Sequence, residues 1–504
     1  MDYTLGTAFV RPFSLAAFTG LLLTLSFPSV GHPLFAWVAL VPLLTAVCSA
    51  TSTNAFWLGL VAGVIHFAGT IYWIPAVMVD FGGLPVASAW FVHFVFVIFL
   101  GLFIAGFTIS IAVLVKQFGR VGLMFAPAVW VTMELGRIYL FTGFPWLLLG
   151  YSQVPFLVIA QAASIVGVLG VSILVVAVNA TVSYSWVGRG NVRSLPAMVT
   201  GSVFVLVVAF GVWRLERSVL LNKGTSLTVA AVQGNVSQDD KWNRTRRDTI
   251  LTTYLKQTRD AAAAGAELIV WPEAATQFPL AHDERSEMIR STARATNTHL
   301  LIGTTEIQTD EQTRYYNAAH MVGPSGATTG VYRKQHLVPF GEYVPLQDAL
   351  FFVSPLVEAV GSFSAGRSAQ ALPFQDDWVS TAICYEIIYP GLVRELVLAG
   401  ANLLTTITND AWFGLTAAPH QHFQMARMRA IEQGRYLVRS ANTGISGIMD
   451  PYGRIIGRSA LFEEAVLVSE VRLLTDLTFY GRIGDVPAYL GLLVTVLALG
   501  WRRR

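Results

Sequence analysis

The sequence has little charge for its length. Aspartate, glutamate, lysine and arginine make up only 13% of the 504 residues, whereas 54% of the residues are hydrophobic. A typical soluble protein carries about 25% charged residues, so much of the surface of this chain must face something other than water. The net charge of +3 is too small to favour a nucleic-acid partner.

Internal repeats, low-complexity tracts and disordered linkers are also absent from the sequence. The first apolar stretch has no clear small-residue cleavage site and runs directly into a second apolar stretch. It therefore does not have the pattern of a removable signal peptide.

Long apolar runs dominate the first 221 residues and return at the C-terminus. A run of about 17–25 apolar residues is long enough to cross a bilayer as a helix. Such runs occur at 13–29, 33–50, 55–78, 86–115, 121–140, 156–183, 195–213 and 485–501. The sequence therefore predicts an α-helical transmembrane bundle of eight spans, with seven in residues 1–221 and the eighth in residues 481–504.

Basic residues in the short loops predict how these spans are oriented, because such residues favour the cytoplasmic side. They occur at the N-terminus, in alternate loops and at the C-terminus, as Arg11, Lys116, Arg120, Arg189, Arg193 and Arg502–Arg504. The intervening loops contain no lysine or arginine. We therefore expect both termini to be cytoplasmic and residues 222–480 to lie outside, which in a bacterium is the periplasm, as part of a multi-pass inner-membrane protein.

The sequence also contains very little cysteine. The chain has only Cys48, near the predicted cytoplasmic end of the second span, and Cys384, in the predicted external domain. Residues on opposite sides of a membrane cannot form a disulfide. Cys384 is then a lone thiol in an oxidising compartment, either a buried structural cysteine or a functional one.

Residues 222–480 alternate between strand-like and helical segments. The strand-like segments, rich in Val, Ile, Leu and Thr, are 226–235, 267–275, 299–307, 315–323, 329–339, 378–387, 401–410, 436–444 and 446–453. The helical segments are 244–265, 283–297, 390–400 and 419–434. This alternation predicts an α/β domain in which helices cover a sheet.

Three segments of this domain contain residue types suited to covalent catalysis. "WPEAA" contains Glu273 at a strand end, "YRKQHLVPFGEYVP" contains Lys334 within a strand-like run, and "ICYEIIYP" contains Cys384 at the next strand end. Taken singly, these could be a loop glutamate, a solvated edge lysine and a structural cysteine. Together they supply a base, a cation for a developing oxyanion and a nucleophile for acyl transfer.

In this order, the three motifs resemble the Glu–Lys–Cys signature of the nitrilase superfamily. With the flanking spans and the "PFGEYVP" sequence, the chain is similar to the apolipoprotein N-acyltransferase family. The resemblance implies a four-layer αββα sandwich for residues 222–480, with Glu273 as general base, Lys334 as the stabilising cation and Cys384 as nucleophile. It also implies supporting or substrate-contacting roles for Glu342, Glu386, Tyr385 (through the backbone N–H after the nucleophile) and Trp242.

The resemblance further implies an activity. A fatty acyl chain would pass from a membrane phospholipid, through a cysteine thioester, to the α-amine of the N-terminal diacylglyceryl-cysteine of an apolipoprotein. The bilayer would be a further partner, the chain a monomer, and neither a cofactor nor a metal would be needed; His420 and His422 form a His-x-His pair without a third ligand. Two alternatives remain: a membrane-tethered amidase or nitrilase that hydrolyses a small C–N substrate, and a transporter or receptor with a degenerate nitrilase-like domain.

Overall fold

The computed structural model describes residues 3–188, 195–241, 243–309, 312–339, 341–343 and 363–501, with side chains from residue 11 onward. The chain divides into two compact units. The first comprises Met1–Ala76, Pro85–Arg217 and Ile483–Arg504, and the second comprises Val77–Leu84 and Ser218–Arg482.

The first unit is helical. Its helices, of which α4 continues into the second unit, are α1 (Tyr3–Leu25), α2 (Val41–Val47), α3 (Ser52–Thr70), α4 (Ile74–Asp80), α5 (Val86–Phe118), α6 (Ala126–Tyr139), α7 (Leu157–Ala160), α8 (Ala163–Val187), α9 (Leu195–Arg217) and a C-terminal helix, Val486–Gly500. Each of the eight predicted apolar runs overlaps at least one of these helices.

Not every run forms one helix long enough to cross a bilayer. Three segments combine sufficient length and hydropathy, namely Val86–Tyr139, Ala163–Val187 and Leu195–Asn222. A fourth is obtained if α3 and α4, which are bent by 51° relative to each other, count as one span. The described part of the helical region therefore contains three or four apolar spans.

The predicted run 33–50 illustrates why a hydrophobic stretch does not guarantee a single span. It folds as a 3₁₀ helix, Pro33–Trp37, followed by α2, which has a proline in its first turn. Proline is tolerated there but cannot continue a helix from the preceding residues, because it has no N–H to donate. Among the basic residues that predicted the orientation, Arg189, Arg193 and Arg502–Arg504 lie outside the described residues.

The second unit contains two six-stranded sheets. Their strands are β1 (Thr225–Gln233), β2 (Leu268–Val270), β3 (His299–Thr309), β4 (Thr313–Val322), β5 (Thr328–Arg333), β6 (Leu372–Phe374), β7 (Asp377–Ile383), β8 (Leu403–Thr408), β9 (Leu437–Ala441), β10 (Gly447–Met449), β11 (Ile455–Arg458) and β12 (Ala465–Leu473). The first sheet has the order β12-β1-β2-β3-β4-β5, and the second has the order β11-β10-β9-β8-β7-β6.

Helices cover the outer face of each sheet. The helices of this unit are α10 (Gln238–Lys241), α11 (Arg247–Ala263), α12 (Ser286–Thr296), α13 (Pro390–Leu398), α14 (Ala418–Gln433) and α15 (Phe479–Ile483). Helix α11 packs on β1, β2 and β12 of the first sheet. Helix α13 packs on β7 of the second sheet and α14 packs on β9. Contacts between the two sheets include those of β1 with β9. The unit is thus an αββα sandwich, as the resemblance to nitrilases implied.

Strand direction brings the chemically interesting loops together. Strands β1, β2 and β3 run parallel, as do β7, β8 and β9. The carboxyl ends of parallel strands meet at one edge of a sheet, where α/β proteins commonly bind ligands. Glu273 follows β2 and Cys384 follows β7, so each lies at such an edge.

Some strand predictions were wrong. Strand β12, which forms nine antiparallel pairs with β1 across more than 230 residues of chain, was missed. The predicted strand 329–339 ends early, since β5 stops at Arg333. Lys334 therefore follows the strand instead of lying within it. Its N–H still donates to the carbonyl oxygen of Asn317 at 2.8 Å, which fixes it beside β4.

Candidate active site

Glu273 lies in a tight turn after β2 and is 7% exposed. The turn passes so close to β3 that a Cβ on Gly303 would lie 2.3 Å from the carbonyl oxygen of Pro272. The residue after Glu273, Ala274, has a φ of +45°, which few L-residues adopt. A glycine in β3 and a left-handed residue in the turn therefore allow the carboxylate to face the interior.

The Glu273 carboxylate is held by two asparagines that sequence analysis did not single out. Asn317 Nδ2 donates to Glu273 Oε1 at 2.7 Å, and the backbone N–H of Asn409 donates to Glu273 Oε2 at 2.9 Å. Asn317 belongs to β4 and Asn409 follows β8, so both sheets contribute to the position of the carboxylate. Asn409 follows a strand directly, a position that could have marked it in the sequence; Asn317 lies within a strand and gives no such signal.

Lys334 connects two carboxylates. It is 1% exposed, and its Nζ lies 2.9 Å from Glu342 Oε2 and 3.7 Å from Glu273 Oε1. Burial alone would lower the pKa of Lys334, but the charges of Glu342 and Glu273 raise it above its ordinary value. The side chain is therefore a permanent cation at neutral pH, paired more closely with Glu342 than with Glu273.

Cys384 sits at the bend between β7 and a short 3₁₀ helix, Cys384–Ile388, with a φ of +54°. Burial and the Glu273 carboxylate raise the pKa of its thiol, while the Lys334 ammonium opposes that effect. The charges of Glu273 and Lys334 therefore act on the ionisation of Cys384 in opposite directions, in addition to the effect of burial. The resting thiol is protonated and needs a base before it can act as a nucleophile.

Glu386 joins the lysine loop to the cysteine bend. Its carboxylate is fully buried. The carboxylate accepts hydrogen bonds of 2.7–3.2 Å from both sides of the site. From the chain around Lys334 the donors are the Tyr332 hydroxyl and the N–H groups of Gln335 and His336. From the chain before Cys384 the donor is the N–H group of Ile383. Burial raises the pKa of Glu386 to about 7, although these N–H groups favour the charged form. With this many donors already bound, Glu386 is suited to positioning rather than to proton transfer.

A second network lies behind Cys384. His422 Nε2 lies 3.2 Å from the carbonyl oxygen of Cys384, and His422 Nδ1 lies 3.1 Å from Asp410 Oδ1. Arg439 donates to Asp410 Oδ2 at 2.5 Å. In the sequence, His422 is only half of a weak His-x-His metal motif. In the fold, this buried Asp–His–Arg set instead supports the main chain of the proposed nucleophile.

Of the two aromatic residues implied by the resemblance, the structure describes Tyr385 but not Trp242. Tyr385 is 8% exposed and packs edge-on against Tyr389, with ring centroids 5.3 Å apart, and near His336. Its side chain therefore belongs to a buried aromatic cluster. Trp242 lies outside the described residues.

The chain is similar in sequence to two known protein families and, over nearly its whole length, to known proteins. Residues 228–475 match the family described as carbon-nitrogen hydrolase, and residues 19–181 match the apolipoprotein N-acyltransferase N-terminal domain. The sequence is 39% identical to the apolipoprotein N-acyltransferase of Geobacter metallireducens, over 98% of this chain and 96% of that protein. It is 34% identical to that of Methylococcus capsulatus, over 98% and 97%. A solved amidase of the nitrilase superfamily, from Nesterenkonia AN1, is 20% identical and covers 53% of this chain and 97% of its own, with a TM-score of 0.39.

Proposed function

The chain belongs to the apolipoprotein N-acyltransferase family, and from this membership we propose how its own residues perform the reaction. Its activity is N-acyl transfer, and it is a multi-pass membrane protein of the nitrilase superfamily. The acyl donor we propose is a membrane phospholipid. The acceptor we propose is the α-amine of the N-terminal diacylglyceryl-cysteine of an apolipoprotein.

In the first half-reaction, Cys384 attacks the ester carbonyl of the phospholipid. Glu273 takes the thiol proton as the C–S bond forms. The ester C–O bond then breaks, and the leaving alcohol of the lysophospholipid takes that proton from Glu273. The observation that carries this assignment is the buried contact set of Glu273, Lys334 and Glu342, in which the charges of Glu273 and Lys334 act on the Cys384 thiol. A carboxylate beside a protonated thiol is the arrangement that general-base activation requires.

In the second half-reaction, the acceptor amine attacks the thioester. The C–N bond forms, the C–S bond breaks, and Glu273 moves the amine proton to the departing thiolate. Both steps pass through a tetrahedral oxyanion, which the Lys334 ammonium and the backbone N–H of Tyr385 stabilise. Because two bulky lipids share one thiol, the lysophospholipid leaves before the acceptor enters, giving a ping-pong sequence.

The supporting roles follow from the contacts. Glu342 holds Lys334 at 2.9 Å, so the ammonium is fixed in place before substrate binds. Glu386 ties the chain beside Lys334 to the chain beside Cys384 through hydrogen bonds to Gln335 and Ile383. Preorganised charges of this kind cost no reorganisation during the reaction.

The experiment that tests this function measures the intact mass of the protein after exposure to phospholipid. We expect a gain of one acyl chain on wild type, removal of that chain by an added diacylglyceryl-cysteine peptide, and no gain on Cys384→Ala. A gain that persists in Cys384→Ala would contradict the thioester mechanism. Release of free fatty acid or hydrolysis of small amides, with no acylated peptide, would instead favour the tethered amidase, and an inert protein would favour the transporter or receptor.

The membrane arrangement that we propose has eight crossings, with residues 1–221 and 481–504 in the membrane region, cytoplasmic termini and residues 222–480 in the periplasm. The basic-loop bias supports this orientation. A reporter active only in the periplasm should be active when fused after Lys223 and inactive when fused after Arg504. The reverse pattern would overturn the orientation, and activity at both fusion points would mean an even number of crossings between them.

A further inference from the structure

A second buried lysine touches the base of the proposed site. Lys241 ends the short helix α10 and is 3% exposed. Its Nζ donates to the backbone carbonyl oxygen of Glu273 at 2.9 Å. The side-chain amides of Gln238, on the same helix, and Asn409 lie 2.8 Å apart, and the backbone N–H of Asn409 donates to the Glu273 carboxylate. Helix α10 therefore contacts Glu273 at its main chain directly and at its carboxylate through Asn409.

The charges of the site explain why a second cation belongs there. Lys334 lies closer to Glu342, at 2.9 Å, than to Glu273, at 3.7 Å. The Lys334 ammonium is therefore paired mainly with the Glu342 carboxylate and neutralises the Glu273 carboxylate less completely. Lys241 adds a second positive charge beside the main chain of Glu273, so that the carboxylates of Glu273 and Glu342 are matched by two ammonium groups. A buried ammonium without such partners would be costly.

Resting on the function proposed above, we propose that Lys241 is a positioning residue of the acyl-transfer site, which fixes the main chain of Glu273 and offsets the effect of its carboxylate on the Cys384 thiol. Without this charge, Glu273 would raise the barrier to ionising the thiol that it must deprotonate. Lys241 thereby makes it easier for Glu273 to remove the proton of the resting thiol.

The ionisation of Lys241 is consistent with this role. Burial lowers its pKa to about 8, while the charges of Glu273 and Cys384 act in the opposite direction. Below that pH the ammonium is charged and favours the thiolate. Above it the amine becomes neutral, and this contribution is lost. The effect of Lys241 should therefore be largest at neutral and mildly acidic pH.

The test is the pH dependence of Cys384 alkylation by iodoacetamide, in the full-length protein in detergent, with Cys48→Ala leaving a single thiol. Lys241→Met keeps most of the side-chain stem but removes the charge. We expect it to slow alkylation about tenfold at pH 7, which corresponds to an apparent thiol pKa about one unit higher. Lys241→Arg keeps the charge and should change the rate much less.

Lys223→Met is the matched control, because Lys223 is an exposed lysine of the same unit, paired with Asp476. It should leave the alkylation profile unchanged. An unchanged profile for Lys241→Met would overturn the proposal, and so would an equal shift for Lys241→Arg or for Lys223→Met. If Lys241→Met does not fold, as judged by thermal denaturation, the profile of Lys241→Gln decides by the same criterion. Alkylation needs neither an acyl donor nor an acceptor. The alkylation experiment can therefore fail while the intact-mass experiment with Cys384→Ala succeeds, and the reverse, so the two proposals are tested separately.

Discussion

Replacing Glu273 by glutamine should slow acyl transfer by about 10²–10⁴, the usual contribution of a general base, and raising the pH should restore part of the loss. Glutamine keeps the shape of the side chain, and its single carbonyl oxygen can still accept from one of the two donors that hold the carboxylate, Asn317 Nδ2 or the Asn409 N–H. It cannot take a proton. Both half-reactions should therefore slow, without a loss of folding.

The partial recovery at high pH follows from the sign of the thiol shift. Burial and the Glu273 carboxylate both raise the pKa of Cys384, and Lys334 lowers it. In Glu273→Gln the carboxylate charge is gone while Lys334 remains, so the thiol ionises at a lower pH than in wild type. Raising the pH then produces thiolate without a base, and self-acylation by phospholipid should accelerate.

Lys334→Met is the matched comparison. Loss of one group that stabilises an oxyanion typically costs on the order of 10²–10³ in rate. Here alkaline pH should not restore the loss, because the missing charge acts on the transition state and not only on the thiol. The measurement is the self-acylation rate against pH for both variants, with folding checked by thermal denaturation. Rescue of the lysine variant by alkaline pH, with no change in the glutamate variant, would reverse the two roles.

Glu386→Ala should lower both stability and activity sharply. The substitution leaves the Tyr332 hydroxyl and the N–H groups of Gln335 and Ile383 without their shared acceptor inside the protein. Each unsatisfied buried donor costs roughly 1–3 kcal/mol. Several such donors should lower the melting temperature by on the order of 10 °C in a domain of this size.

Activity should fall further than this loss of stability explains, because Glu386 sets the spacing between the chain at Lys334 and the chain at Cys384. The measurements are thermal denaturation and self-acylation at a temperature where the variant is folded. Tyr332→Phe removes only one of the donors to Glu386, together with the acceptor of Gln335 Nε2, and should have a smaller effect on both. Glu395→Ala, at an exposed site on α13, should have none. A folded Glu386→Ala with wild-type self-acylation would show that this carboxylate does not position the site.

Local sequence pattern was enough to predict much of this protein. Hydropathy depends on composition within a window of about 20 residues, so the helical regions at each end were found from the sequence. The alternation of strand and helix predicted an α/β domain, and the order of "WPEAA", "YRKQHLVPFGEYVP" and "ICYEIIYP" identified the family. Glu273, Lys334 and Cys384 were selected in this way, before any distance was known.

The tertiary structure decided what depends on distant parts of the chain. Strand β12 pairs with β1 from more than 230 residues away, and no local periodicity encodes such a pairing. Asn317, Asn409, Lys241 and His422 reach the site from four separate parts of the chain. Of these, only Asn409, directly after a strand, has a position that could have marked it in the sequence. Their roles arise because burial removes water, so every charge and donor near Glu273 and Cys384 must find a partner within the protein. Which partners those are is set by how the two sheets pack.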